Sequence, residues 1–249
     1  MIARAVKVGL QDIQSLRALF LQETNFQIRY DACHERGWTD SYSMMLDDVP
    51  VGYGSIKGQA PADRDAVFEF FVIPTFRKHS RILFHELLAA SGVRTIECQT
   101  NDAPLSAMLY ECSETIRATA VLFEDHAVTE HVVPGIVVRR RCDEDRVFAH
   151  DVEPIGDYVV ARGNDIVATG GFLLHYNPPF ADLFMEVRPD CRRQGYGSFL
   201  VQELKKNCYL AGRVHAARCG LGNIASRAAL EKAGLRVCGF LLTGTVVAH

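Results

Sequence analysis

Residues 187–207 read VRPDCRRQGYGSFLVQELKKN. At their centre, Arg192–Gly197 (RRQGYG) joins an apolar strand to an amphipathic helix through a glycine turn. Gly195 and Gly197 let the backbone approach a ligand where a Cβ would intrude. The first turn of the following helix offers N–H groups without intrahelical partners and a positive dipole end, so the junction is a candidate phosphate seat.

The pattern VxPxxR occurs a second time, 115 residues earlier. Val72, Pro74 and Arg77 in FFVIPTFRKHSRILFHELL match Val187, Pro189 and Arg192. A hairpin precedes each copy, around Asp47 and Asn164, and each is followed by a short strand and a helix, so one supersecondary unit is duplicated. The first unit reads as strand 2–8, helix 11–23, strands 41–47, 50–57 and 66–73, helix 79–91, strand 94–99, helix 104–112 and strand 117–123. Leu83, Phe84, Leu87 and Leu88 form the sheet-packing stripe of helix 79–91. The second unit reads as strands 157–162, 165–174 and 181–188, helix 195–210, strand 214–219, helix 223–233 and strand 236–246. It matches the first with the opening strand and helix removed. The charged stretch Arg139–Arg146 (RRRCDEDR) reads as a solvated linker, giving expected domains 1–138 and 147–249. The fold class is α/β of the α+β kind: two tandem domains, each a mixed, mostly antiparallel sheet flanked by helices.

The 249 residues allow one large or two small domains, and 48% hydrophobic with 23% charged residues is ordinary globular composition. A net charge of −3 gives no overall attraction for nucleic acid or an anionic membrane. The N-terminus is unlike a signal peptide, and no apolar run suffices to span a bilayer, so a cytoplasmic location is expected. The eight cysteines contain no CxxC pair and read as buried free thiols, with no metal expected.

A strand ending in VxPxxRxxGxG, then a helix, a strand, an NxxS helix start and a closing KAGL (232–235) resembles the GNAT superfamily of N-acetyltransferases. The motif is intact over 157–246, and residues 1–125 resemble a degenerate copy. The resemblance implies acetyl-coenzyme A as co-substrate, held between two splayed strands, and an amine of a small molecule or peptide as acceptor. Arg192, Arg193, Gln194, Gly195, Tyr196, Gly197 and Ser198 match the diphosphate loop, Val187 the strand position that pairs with pantetheine, and Asn223 and Ser226 the NxxS cap. In the first copy Ser80 and Ile82 replace the two glycines. Ile82 is expected to obstruct the phosphate, so only the second unit should bind the co-substrate. A nucleotide site of the GxxxxGK[ST] type is not encoded.

An acceptor amine must lose a proton before attack. Glu186, beside Val187, is the first candidate base and Asp182 the fallback; neighbouring strand residues face opposite ways, so Glu186 points either to the thioester or to solvent. Relatives carry a tyrosine as general acid where Leu230 stands here. Tyr196 could substitute only by turning back along the co-substrate, and Tyr110 reads as a relic or a core residue. The acceptor cleft is expected between the domains. His175–Phe180 (HYNPPF) is a candidate lining or a rigid connector, with Trp38 and Tyr42 as weaker candidates. A non-catalytic coenzyme A binder is the alternative reading.

Overall fold

The computed structural model describes residues 2–27 and 30–247. Two compact units divide the chain: Met1–Phe26, Tyr30–Thr119 and Gly239–His249 form the first, and Gln27–Arg29 with Ala120–Cys238 form the second. Both are mixed, mostly antiparallel sheets flanked by helices.

In the first unit β1 (Ala3–Val8), β2 (Thr39–Leu46), β3 (Val49–Lys57) and β4 (Ala66–Val72) pair antiparallel in turn. The β2–β3 hairpin closes through Asp47 and Asp48 at φ 45° and 68°, the left-handed pair a two-residue turn requires. β5 (Thr95–Gln99) runs parallel to β4 and pairs with it only at Ala66–Thr95 and Val67–Ile96. The last residues of β12 (Leu235–Val246) pair antiparallel with β5. The helices are α1 (Leu10–Glu23), α2 (Tyr30–Glu35), α3 (Ser80–Ser91) and α4 (Ala103–Cys112). Leu83, Phe84, Leu87 and Leu88 of α3 are all buried in the core, as their spacing requires.

In the second unit β7 (Ile136–Arg140), β8 (Tyr158–Arg162), β9 (Asp165–Leu173) and β10 (Phe180–Val187) are antiparallel neighbours. β11 (Val214–Gly220) is parallel to β10 and antiparallel to the second half of β6 (Ser113–Asp125). α5 (Tyr196–Leu210) buries Leu200, Val201, Leu204 and Cys208 on one face, and α6 (Ile224–Lys232) buries Leu230.

Two expectations need correction. The second unit does have an opening strand: β7 pairs along the outer edge of β8, and only the helices between those strands are missing. The stretch 139–146 lies within that unit: Arg139 and Arg140 end β7, and Arg139 makes a bidentate pair with Asp145, its Nη2–Oδ1 distance being 2.5 Å. The stretch reads as a solvated run because the strand that orders its start, β8, lies outside the local pattern, and the turn that pairs Arg139 with Asp145 has no periodic signal.

The duplication is visible at the level of single hydrogen bonds. Arg77 Nε donates to Val72 O and Arg192 Nε donates to Val187 O, each at 3.2 Å. Among the described residues no helix is long and apolar enough to cross a membrane.

Candidate functional site

β10 leaves the sheet at Val187 and the chain turns sharply, because Arg188 is tied to Asp165 (Nη1–Oδ1 2.6 Å) and Asp190 (Nε–Oδ1 2.8 Å). Arg193 and Gly195 adopt left-handed φ of 62° and 86°, and Gly195 caps α5. Left-handed residues bracketing Gln194, followed directly by the first turn of α5, are the kind of backbone that can present successive N–H groups to an anion. Arg192, Arg193 and Gln194 are exposed there. The side chains of Tyr196 and Ser198 are directed inward: the Tyr196 ring packs in the core while its hydroxyl donates to Gln194 Oε1 (3.2 Å), and Ser198 Oγ donates to Gly195 O (3.0 Å). These positions therefore offer an anion their N–H groups alone, and Tyr196 does not stand in for the missing acid.

The two glycines have different duties. A Cβ on Gly195 would meet only Val133 Cγ2, at 4.0 Å, so its requirement is the positive φ. A Cβ on Gly197 would point at Met185 Cε (3.3 Å) and Val187 Cγ2 (3.4 Å), so that glycine lets α5 lie close on β10. The expectation that a side chain here blocks the phosphate is corrected accordingly.

β10 and β11 are paired only over Phe180–Asp182 and Val214–Ala216. Beyond these the pairing stops, and a shallow, solvent-open groove lies between the strands. Leu183, Phe184 and Met185 line one side, Ala217 and Arg218 the other, and Val201, Ser226, Leu230 and Glu153 complete it. Asn223 Oδ1 accepts from Ser226 N at 3.0 Å, which starts α6 and seats Ser226 in the wall. Leu230, one turn on, presents no hydroxyl.

The even residues of β10 face away from α5, and residues 148–156 are pinned to that face. Glu186 is buried and its carboxylate accepts three backbone N–H groups, from Asp151 (3.0 Å), Val152 (3.2 Å) and Glu153 (2.9 Å). Burial pushes its pKa up, but those donors and His150 outweigh it and hold the carboxyl below the usual range. A general base needs a free lone pair and a raised pKa. Glu186 is instead held as the ionised carboxylate by three backbone donors, so its expected role is corrected from base to clamp. Asp182 is paired with His175 (Oδ2–Nε2 2.9 Å). Glu153 behaves oppositely to Glu186: burial, then the Asp182 and Glu186 carboxylates, raise its pKa against the pull of Arg218 and His150. Nothing in the sequence singled out Glu153 or His150, because residues 147–156 carry no periodic signal.

The first unit repeats the splay of β4 and β5 but not the anion seat. Arg77 is bound by Glu23, at 2.5 Å to each carboxylate oxygen, so an acid occupies the phosphate end. Ser80 is right-handed at φ −52°, and Phe20, Phe70 and Phe71 line the slot. Ile82 is 44% exposed. Counted from the helix caps Asp102 and Asn223, Leu109 matches Leu230, whereas Tyr110 lies outside the core at 66% exposure.

The weaker lining candidates are elsewhere engaged. Tyr42 is core, Arg36 lies 4.8 Å over the Trp38 ring, and Tyr176 and Asn177 are buried in a connector that hands its Pro179 carbonyl to Val214 N (2.8 Å). Cys142 is exposed, against expectation, while Cys33, Cys98, Cys112, Cys191, Cys208 and Cys219 are buried. Among the described residues no group of three His, Cys, Asp or Glu is arranged to hold a metal.

Comparison with known proteins matches residues 121–235 to the Acetyltransferase (GNAT) family and residues 9–126 to an Acetyltransferase (GNAT) domain family. No curated protein matches the sequence. Among solved structures, a GNAT-family acetyltransferase from Colwellia psychrerythraea aligns with a TM-score of 0.74 at 14% identity, covering 99% of this chain and 100% of that one. A tandem GNAT protein from the clavulanic acid biosynthesis pathway aligns at 0.59 and 12% identity over 100% of both chains. A GCN5-related N-acetyltransferase from Sphaerobacter thermophilus gives 0.59 at 15%, covering 99% and 96%. At such identities the likeness is one of fold.

Proposed function

Because the chain belongs to the GNAT superfamily and carries two of its domains in tandem, we propose that it is an N-acetyltransferase using acetyl-coenzyme A and the amine of a small molecule or peptide. The observation that carries this reading is the coincidence, in the second unit alone, of the left-handed RRQGYG turn with the groove opened between β10 and β11. The fit is good. N–H groups of residues 193–198 and the exposed Arg192 and Arg193 suit a diphosphate, Val187 ends the strand that borders the groove, and Ser226, seated by the Asn223 cap, lines its wall. When bound, acetyl-coenzyme A supplies an activated acyl group as its thioester. Leu230 leaves no hydroxyl to protonate the departing sulfur, but a thiol of pKa near ~8.5 leaves as thiolate without that help. A cytoplasmic location fits the eight free cysteines.

Titration calorimetry with acetyl-coenzyme A tests the reading. One site per chain is expected, and Glu23→Ala, which frees Arg77, should leave the count at one; absence of binding by the wild type refutes it. A second reading, a coenzyme A binder without catalysis, is favoured by Leu230 in the groove. Tight binding with no thiol release across a panel of primary amines would establish it.

A further inference from the structure

We propose that Glu153 takes the proton from the acceptor ammonium and that Glu186 acts as the positioning residue that holds Glu153 at the groove. The inference rests on the acetyltransferase reading and names a residue of that same site.

Three observations meet at Glu153. It lines the groove between β10 and β11, as does Arg218 of β11. Its backbone is held at both ends: its N–H donates to Glu186 Oε2 (2.9 Å), and its carbonyl is 3.0 Å from His150 Nδ1. The segment is fastened again at Thr169, whose Oγ1 lies 3.1 Å from His150 Nε2 and 3.2 Å from Gly156 N. A carboxylate on an anchored turn is placed as firmly as one on a strand, which proton transfer requires.

The charged groups facing it are Asp182 and Glu186 on β10, Arg218 on β11 and His150 on its own segment, with His175 bound to Asp182. Two carboxylates near a half-buried third make it more basic and draw a cationic amine into the groove. Glu186 is unsuited to that role, because the three backbone N–H groups that set the turn stabilise its ionised form. One acid is spent on fixing the position of the other.

The bonds balance with the thioester as co-reactant. Glu153 accepts one proton from R–NH3⁺, and the freed nitrogen pair forms the C–N bond at the thioester carbonyl. The C–S bond breaks with its electron pair leaving on sulfur, and the nitrogen then sheds its second proton, so that of the two protons released one ends on the thiolate and the other, by way of Glu153, in solvent. The products are an N-acyl amine and the free thiol.

The test uses the full chain, acetyl-coenzyme A, a panel of primary alkylamines, and hydroxylamine, which is largely unprotonated at neutral pH and needs no base. Glu153→Gln should lower kcat/KM for an alkylamine by about 10²-fold or more at pH 7, erase the acid limb of the pH profile, and leave hydroxylamine turnover within about threefold. Acetyl-coenzyme A affinity should stay within about threefold. The carboxyl 13C signal missing from Glu153→Gln should titrate above the ordinary glutamate range in the wild type, and in Glu186→Gln it should move while affinity holds. An unchanged pH profile in Glu153→Gln, an equal loss with hydroxylamine, a signal at or below the ordinary range, or no thiol release from the wild type with any amine overturns the proposal. If the co-substrate still binds, the family reading of the groove survives; if it does not, both fall.

Discussion

Replacing Gly195 by alanine separates backbone conformation from space at the anion turn. A Cβ there has only Val133 Cγ2 within reach, at 4.0 Å, so no clash contributes. At φ 86° and ψ −3°, however, the new side chain crowds the carbonyl that follows it, a conformation costing an L-residue about 1–2 kcal/mol. The chain must either carry that strain or let the turn relax and swing its N–H groups off the anion. The first route lowers the unfolding free energy by about 1–2 kcal/mol. The second costs binding instead, and the same energy weakens acetyl-coenzyme A affinity by roughly 5- to 30-fold. Gly197→Ala is the control: its Cβ meets flexible Met185 at 3.3 Å, and an unstrained helical position should lose under about 1 kcal/mol with affinity kept. Urea denaturation at constant m-value, alongside calorimetry, measures both quantities. If Gly195→Ala changes neither stability by more than about 0.3 kcal/mol nor affinity by more than about twofold, the conformational account of the motif is wrong.

Two further outcomes follow from buried backbone and charge. A Cβ on Gly234, at φ 86°, would overlap the Ala127 carbonyl oxygen, which itself accepts from Lys205 Nζ at 2.7 Å; Gly234→Ala should therefore cost more than about 3 kcal/mol and be scored by loss of soluble, cooperatively melting protein. His215 is fully buried, and burial depresses its pKa to about 4 against the attraction of Asp125, so the unfolded chain binds the extra proton between pH 6.5 and 4. Stability should be fully present above pH 6.5 and fall by on the order of 3 kcal/mol as pH drops to 4, and His215→Gln should flatten that slope in urea melts at stepped pH.

Much of the architecture was legible because its signals are local. The stripe of Leu83, Phe84, Leu87 and Leu88, the caps at Asp102 and Asn223, and the glycine turn before α5 each depend on residues within a few positions. α2 and β7 were not read: α2 is six residues long, and β7 earns its place by pairing with β8 from across residues 141–157. At the site, the glycine turn could be read, but the duties of its two glycines could not. Only packing shows that Gly195 serves a dihedral angle and Gly197 a helix–strand approach. Leu230 was legible only as the residue before EKAG that stands where relatives carry a tyrosine; that it lines the groove, and that Tyr110, one residue further round its own helix, faces outward, only the structure shows.

By itself the sequence determined the order of the elements with strong local signals, the duplication, and which unit carries the glycine turn, since propensity, capping and glycine stereochemistry act over a few residues. Tertiary structure alone decided what each acid does. Glu186 meets N–H groups 33 to 35 residues earlier in the chain, and Arg77 meets a glutamate 54 residues away. Whether a carboxylate is base, clamp or counter-ion depends on its donors and its solvent, and folding chooses both.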